Sequence, residues 1–306
     1  MVGSTLIRAG QLAPLLILFA MSICKGQVQD TSGLIQLRER VLNEIKQYPL
    51  GQFGIAFKDL QSEATIFINE NSAFHAASTM KTPVMAEVFA QATAGKFNLE
   101  DEVLVYNNFT SIADGSKYSV DVADDSEQEL YQQIGSGITI SELIYGMITK
   151  SSNLATNILI DKVGASAVNR AMRNMGAQHI SILRGVEDQK AFDKGMNNMV
   201  TAKDLMLLFE KLASEKLVSS EASKQMVAIL KQQHLKGAIP AKLPSGVHVA
   251  NKTGSITRVL NDSGIVFLPN GRKYVLVLLS SGLELEPAMA VLSNISLYFY
   301  EHMVPR

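Results

Sequence analysis

The chain has 306 residues, 47% apolar and 19% charged, which excludes a disordered chain of low hydrophobicity and high net charge. With 28 Lys and Arg against 29 Asp and Glu the net charge is −1. No global field draws in nucleic acid or an anionic membrane, and no Lys/Arg run supplies a local one.

In chain order, Arg8 precedes an apolar stretch from Leu12 to Ile23, broken only by Pro14. Twelve residues are too few to span a bilayer, which takes about 20. A positive start, a short apolar run and small residues after it predict a secretory signal peptide over 1–26, cleaved after Gly26. Cleavage leaves one functional domain over 27–306, with 26 basic against 29 acidic residues and a charge of −3. It also removes Cys24, the only cysteine, so no internal disulfide or Cys-ligated zinc is expected. The expected location is periplasmic or secreted, with no membrane span in the mature chain.

Apolar residues at helical spacing (Leu34, Leu37, Val41, Leu42, Ile45) predict a first helix over 34–47. Gln52–Phe57 and Ala64–Asn69 read as a hairpin, and Thr82–Ala94 as a helix with Pro83 tolerated in its first turn. Residues 107–137 are polar and acidic, crowded by Asp121, Asp124, Asp125, Glu127 and Glu129, and read as a solvated surface loop. Helical patterns then dominate: Ile140–Thr149, Leu154–Val163, Ala165–Met175, Ala202–Leu212 and Ser220–Lys231. Strands return at Val247–Asn251, Gly264–Leu268 and Tyr274–Leu279, the last two joined at Pro269-Asn270-Gly271, and a final helix covers Pro287–His302. The order predicts an α+β fold of two lobes. An antiparallel sheet drawn from both chain ends is flanked by helices, an all-helical middle forms the other lobe, and the cleft between them is the expected site.

Several chemistries are excluded. The histidines, His75, His179, His234, His248 and His302, have no metal-ligand spacing, so no metal and no cofactor is expected. There is no phosphate-cradling G-x-x-x-x-G-K-[ST] and no G-x-S-x-G nucleophile elbow.

Three short motifs remain. In Ala77-Ser78-Thr79-Met80-Lys81 a serine precedes a helix and a lysine follows three residues on, on the same face. A serine hydroxyl is a weak nucleophile until a base takes its proton, and a desolvated lysine is such a base. Ser151-Ser152-Asn153 opens a helix; it reads as an N-cap or as a second hydroxyl and an amide ligand facing the cleft. Lys252-Thr253-Gly254-Ser255 continues a strand; the lysine suits a carboxylate, and Gly254 admits close backbone approach. The backbone N–H groups of Ser78 and Ser255 would make an oxyanion hole.

Taken together, in this order and 73 and 99 residues apart, the motifs resemble those of the class A β-lactamases within the penicillin-recognising serine hydrolases. The likeness runs from about Leu34 to the last helix. It implies a Ser78 nucleophile, Lys81 as proton acceptor and Ser151 as proton relay. Asn153 would be a substrate-amide ligand, Lys252 with Thr253 the carboxylate anchor, and Gly254 and Ser255 would complete the binding strand. The implied reaction opens a β-lactam amide through an acyl-enzyme that water then hydrolyses, in a monomer whose partner is the small-molecule substrate.

Two departures stand out. The second motif reads Ser-Ser-Asn where the family usually reads Ser-Asp-Asn. The family's deacylating glutamate usually stands two residues after an arginine; here Arg184-Gly185-Val186-Glu187-Asp188 places Glu187 three after it. Glu187 is the candidate base, with Asp188 and Asp193 as alternatives; Glu187 and Asp188 also read as loop acids, one of them paired with Arg184, and Arg258 is a candidate charge for a substrate carboxylate. Two other readings use the same residues: a D-alanyl peptidase or esterase, and a β-lactam-binding module that does not turn over.

Overall fold

The computed structural model describes residues 1–3, 31–235 and 237–304. The predicted leader, with Cys24 and Gly26, falls almost wholly outside the described residues.

The helices are α1 (Thr31–Lys46), α2 (Lys81–Thr93), α3 (Ile140–Tyr145), α4 (Asn153–Val163), α5 (Ala165–Met175), α6 (Gln189–Asp193), α7 (Ala202–Ala213), α8 (Ser220–Leu230) and α9 (Leu285–Met303). The long strands are β1 (Gln52–Asp59), β2 (Thr65–Ile68), β9 (His248–Ile256), β10 (Val259–Phe267) and β11 (Lys273–Ser281). Short strands form three two-stranded pairs: β3 (Phe74–His75) with β8 (Met199–Val200), β4 (Glu102–Leu104) with β7 (Gly137–Thr139), and β5 (Phe109–Thr110) with β6 (Lys117–Tyr118).

The main sheet has the order β2-β1-β11-β10-β9 and is antiparallel throughout. It joins the two ends of the chain as the sequence predicts, because β1 pairs with β11 from Gln52↔Ser281 to Asp59↔Tyr274. Strand side chains alternate between faces, and here each face has its own core. Val275, Val277 and Leu279 face the helical lobe, with Leu205, Leu208 and Phe209 of α7. Tyr274, Leu276 and Leu278 face α1 and α9. Phe299 of α9 stacks on Phe57 at a centroid distance of 4.7 Å, one of the aromatic burials worth about 2 kcal/mol each. Helix α2 is buried on nearly every side, as suits the central helix of a lobe.

Two predicted elements come out differently. The helix expected over Ile140–Thr149 is α-helical only to Tyr145; Gly146–Lys150 widens into a π turn and ends at Ser151 in the left-handed region, φ 63°. Such widened turns cluster at functional sites. The acidic stretch 107–137 is not a solvated loop throughout. It carries the β5/β6 hairpin and a 3-10 turn at Gln128–Gln133, and Asp125 within it is buried.

Candidate active site

The turn that carries Ser78 is tied down by its neighbours. Ala77–Met80 is a single 3-10 turn running into α2, and Ala77 before Ser78 has φ 45°. A non-glycine residue in that region costs about 1–2 kcal/mol, and such strain persists where surrounding contacts impose it. Those contacts are present. His75 Nδ1 accepts the Ala77 N–H at 3.0 Å, Ala76 N–H donates to Asn198 O at 2.8 Å, and Asn261 Nδ2 donates to His75 O at 2.9 Å. Thr79 Oγ1 donates to Ala76 O at 2.6 Å. Phe74 and His75 pair with Val200 and Met199, tying the turn to the opposite wall.

Behind Ser78 lie two lysines with no exposed surface, Lys81 and Lys252. Lys81 Nζ donates to Ser151 O at 2.7 Å, Ser151 Oγ at 3.2 Å and Asn153 Oδ1 at 2.9 Å. Lys252 Nζ donates to Ser151 Oγ at 3.0 Å and Thr253 O at 3.0 Å. Burial pulls Lys81 down to about 7, against Asp125 and Glu187, which favour its ammonium. Burial pulls Lys252 well below the usual lysine range; the Lys81 charge adds to this and Asp262 opposes it. Half-neutral near pH 7, Lys81 is poised as a base. A hydroxyl oxygen has two lone pairs and one proton. Ser151 Oγ accepts from both lysines, so its own proton remains to be donated elsewhere. Lys81 is not hydrogen-bonded to Ser78 as its position on the same helix face suggests; its ammonium is engaged by Ser151 and Asn153.

The wall opposite β9 is the segment 181–198. Glu187 has φ 61°, so three segments that build the site each carry a non-glycine residue in the left-handed region, at Ala77, Ser151 and Glu187. Glu187 Oε1 accepts from Asn153 Nδ2 at 2.7 Å, and Oε2 accepts the Asp121 N–H at 2.8 Å. Burial pushes its carboxyl up, opposed by those two hydrogen bonds; Asp125 and Asp124 add to the rise. Asn153 thus holds Lys81 with its oxygen and Glu187 with its nitrogen.

The other acids take different places. Asp188 is buried and caps α6: its Oδ1 accepts from Ser111 Oγ at 2.7 Å and Ala191 N–H at 3.1 Å, its Oδ2 the Ile112 N–H at 2.9 Å. Asp193 is exposed and accepts from Gln189 Nε2 at 2.6 Å. Arg184 pairs with no acid among the described residues. It donates to Met196 O, Gly185 O and Asn197 Oδ1. Arg258 lies at the sheet edge, donating to Gly282 O at 2.5 Å with Glu284 at 3.5 Å.

A cleft of about 670 Å³ opens between the walls. Ser78, Asn153, Glu187 and Ser255 line it, with Asp124 and His75. Lys252, expected to anchor a carboxylate, is buried behind this surface; Thr253 is nearly so. Gly254 lets β9 pass the nucleophile turn: a Cβ there would lie 2.8 Å from Ser78 N and 2.9 Å from Thr79 N. Backbone cannot yield as a side chain can, so the amides on β9 and at Ser78 are held close, as an oxyanion hole requires.

The sequence reading passed over two groups of residues. Asn157 and Asn198 hold the 181–198 segment. Asn157 accepts the Val186 N–H at 2.6 Å and donates to Val186 O at 3.0 Å; Asn198 Oδ1 accepts the N–H groups of Leu183 and Arg184. Asp262, fully buried on β10, accepts from Asn251 Nδ2 and the Ile239 N–H, and burial pushes its carboxyl up. Its one signal is Asn261-Asp262-Ser263, three consecutive polar residues inside an apolar strand.

A family described as "Beta-lactamase enzyme family" matches residues 36–303. The β-lactamase of Bacillus licheniformis is 23% identical over 239 residues, 75% of this chain and 71% of that protein. A solved β-lactamase structure from Sphaerobacter thermophilus DSM 20745 superposes with a TM-score of 0.74 at 26% identity, covering 90% of this chain and all of that one. A structure described as PBP-A gives 0.76 at 25% identity, covering 88% and 96%. The chain belongs to the β-lactamase enzyme family.

Proposed function

We propose that the protein is a class A type serine β-lactamase. Ser78 Oγ attacks the lactam carbonyl as its proton passes to neutral Lys81, and the N–H groups of Ser78 and Ser255 stabilise the oxyanion. Collapse breaks the carbonyl–nitrogen bond, and the ring nitrogen takes a proton from Ser151. Lys81 and Lys252 both donate to Ser151 Oγ, so they can resupply that proton. Glu187 then takes a proton from water as that water attacks the acyl carbon, and as the ester bond breaks the leaving Ser78 Oγ takes that proton back, restoring the Ser78 hydroxyl and the Glu187 carboxylate. The observation that carries this reading is Asn153, whose amide bonds the acylation base at 2.9 Å and the deacylation base at 2.7 Å. Residues 1–26 lead us to propose export, to a place where such an enzyme would meet β-lactam antibiotics before they reach their targets and so protect its host.

A slow-deacylating acyl-serine enzyme of the D-alanyl peptidase kind is the second reading. It is favoured by one fact: each Glu187 oxygen already accepts a hydrogen bond, from Asn153 or Asp121. A stopped-flow trace of residues 27–306 with excess chromogenic cephalosporin, followed by intact mass, separates the two. Sustained turnover is expected, and Glu187→Gln should acylate and then hold the added mass on Ser78. A single burst with a stable adduct in the unmodified protein would instead establish the second reading.

A further inference from the structure

The acidic stretch 107–137 is rooted in the catalytic helix. Asp125 is only 3% exposed. Its Oδ2 accepts the backbone N–H groups of Asn153 and Leu154, each at 2.9 Å, and the Tyr131 hydroxyl at 3.0 Å. Its Oδ1 accepts the Glu127 N–H at 3.0 Å. Ser152 Oγ lies 3.5 Å from Oδ2. The first N–H groups of a helix have no intrahelical partner. In α4 the residue at the N-cap, Ser152, covers that of Ala155 alone, at 3.2 Å. A carboxylate 28 residues earlier in the chain covers the two before it.

What those two amides carry gives the contact its weight. Asn153 is the first residue of α4, and its side chain stands between Lys81 and Glu187. The direction of that side chain follows from the backbone of the first turn, so whatever fixes the turn fixes the distance between the two bases. The second motif has a hydroxyl at Ser152 where a carboxylate is usual, and the missing charge stands 3.5 Å away on another segment. A carboxylate is favoured there by the helix dipole as well as by the donors.

We propose that Asp125 is a positioning residue for the reaction: by capping α4 from the acidic insertion it holds Asn153 between Lys81 and Glu187 and sets the charge that Lys81 feels. The groups around Lys81 are Asp125 and Glu187, which favour its ammonium, and Lys252 and the neutral Ser151 and Asn153. Around Asp125 stand the Tyr131 hydroxyl, the Glu127 N–H, Lys81 and Glu187. Loss of the Asp125 charge therefore makes Lys81 release its proton more readily. The Lys81 titration and the acid limb of kcat/KM should both move to lower pH, while a merely structural role would lower the rate without moving the limb.

The test is Asp125→Asn in the full mature chain, read two ways. Lysine-selective carbon-13 NMR follows the Lys81 midpoint, which should fall below that of the parent. The kcat/KM for a chromogenic cephalosporin should drop about 100-fold, the scale of a small misplacement of reacting groups. The exchange variant Asp125→Ser/Ser152→Asp returns a carboxylate to the same helix end, and should recover both. A folded Asp125→Asn protein with unchanged midpoint and kcat/KM overturns the proposal, as does a folded exchange variant that recovers neither. If Asp125→Asn does not fold, the exchange variant alone decides, with parental midpoint and rate in favour and loss of both against. The kinetic readout rests on the β-lactamase reading. If the parent is never acylated that reading falls, while the Lys81 titration still decides the place of Asp125.

Discussion

The two walls of the cleft are built on different physical principles. The β9 wall is held by main-chain register: nine consecutive pairs join β9 to β10, from Val259↔Ile256 to Phe267↔His248, and Gly254 and Ser255 are placed by that ladder. The opposite wall, the 181–198 segment, has one isolated bridge, Ser181↔Met199, as its regular pairing among the described residues, and the two-residue β8 begins only after it. Glu187 is placed from elsewhere in the chain: Asn153 Nδ2 and the Asp121 N–H bond it directly, while Asn157 of α4 and Ser111 of the insertion hold its neighbours Val186 and Asp188. A ladder tolerates most single substitutions, because the backbone supplies the bonds. A wall pinned by side chains loses a pin with each one. In the proposed mechanism Ser78 works against the first wall and Glu187 on the second, so damage should separate the two half-reactions.

The largest expected effect comes from the one place where the β9 wall does depend on a side chain, by lacking one. Gly254→Ala puts a Cβ 2.8 Å from Ser78 N, 2.9 Å from Thr79 N and 3.1 Å from Ala76 O. All three are backbone atoms, so either the strand or the nucleophile turn must move. Losing one oxyanion donor costs about 100–1000-fold in kcat, and acylation measured by burst rate should fall by that order. A variant that acylates at the parental rate would show that the turn, not the strand, is the compliant partner.

A smaller and differently distributed effect is expected on the other wall. Asp188→Asn keeps the shape of a residue whose carboxylate accepts from Ser111 Oγ, Ala191 N–H and Ile112 N–H. An amide can accept at one position only, so at least one buried donor is orphaned, at a cost of about 1–3 kcal/mol. Thermal unfolding should register it. Acylation should be nearly unchanged while deacylation slows, because the adjoining Glu187 loses its footing. Equal slowing of both steps would mean that the walls are mechanically coupled.

The same contrast decides what the sequence could reveal. Strands β1 and β11 and the second half of β10 were legible because short apolar runs and the Pro269-Asn270-Gly271 turn are local signals; the polar first half of β10, Val259–Ser263, was not. The trio Ser78–Lys81, Ser151–Asn153 and Lys252–Ser255 was legible because each motif lies within four residues. Asp125 was not. One acid among six in the stretch 107–137 carries no mark of being the one that turns inward, and its partners are 28 and 29 residues away. Nor was the role of Asp188, which stands beside Glu187 in sequence yet faces Ser111 and Ile112. The π turn at Gly146–Lys150 escaped because apolar spacing continues through it; only the left-handed Ser151 at its end betrays the change.

Arg258 gives the smallest expected effect and tests the sheet wall from its edge. Three residues after Ser255, it is the nearest arginine to the oxyanion strand in sequence, and its charge would suit a substrate carboxylate. The structure turns it outward: its φ of 56° follows the tight connection from β9 to β10, and its guanidinium donates to Gly282 O beside Glu284. Its side chain is half exposed, where an ion pair contributes about 0–1 kcal/mol. Arg258→Ala should therefore leave kcat/KM within about threefold of the parent, the range of surface changes remote from a site. A tenfold rise in KM with kcat unchanged would mean that substrate draws Arg258 off Glu284 and into the cleft. The carboxylate contact that buried Lys252 leaves to other groups would then belong to Arg258, and the β9 wall would bind by a side chain as well as by its backbone.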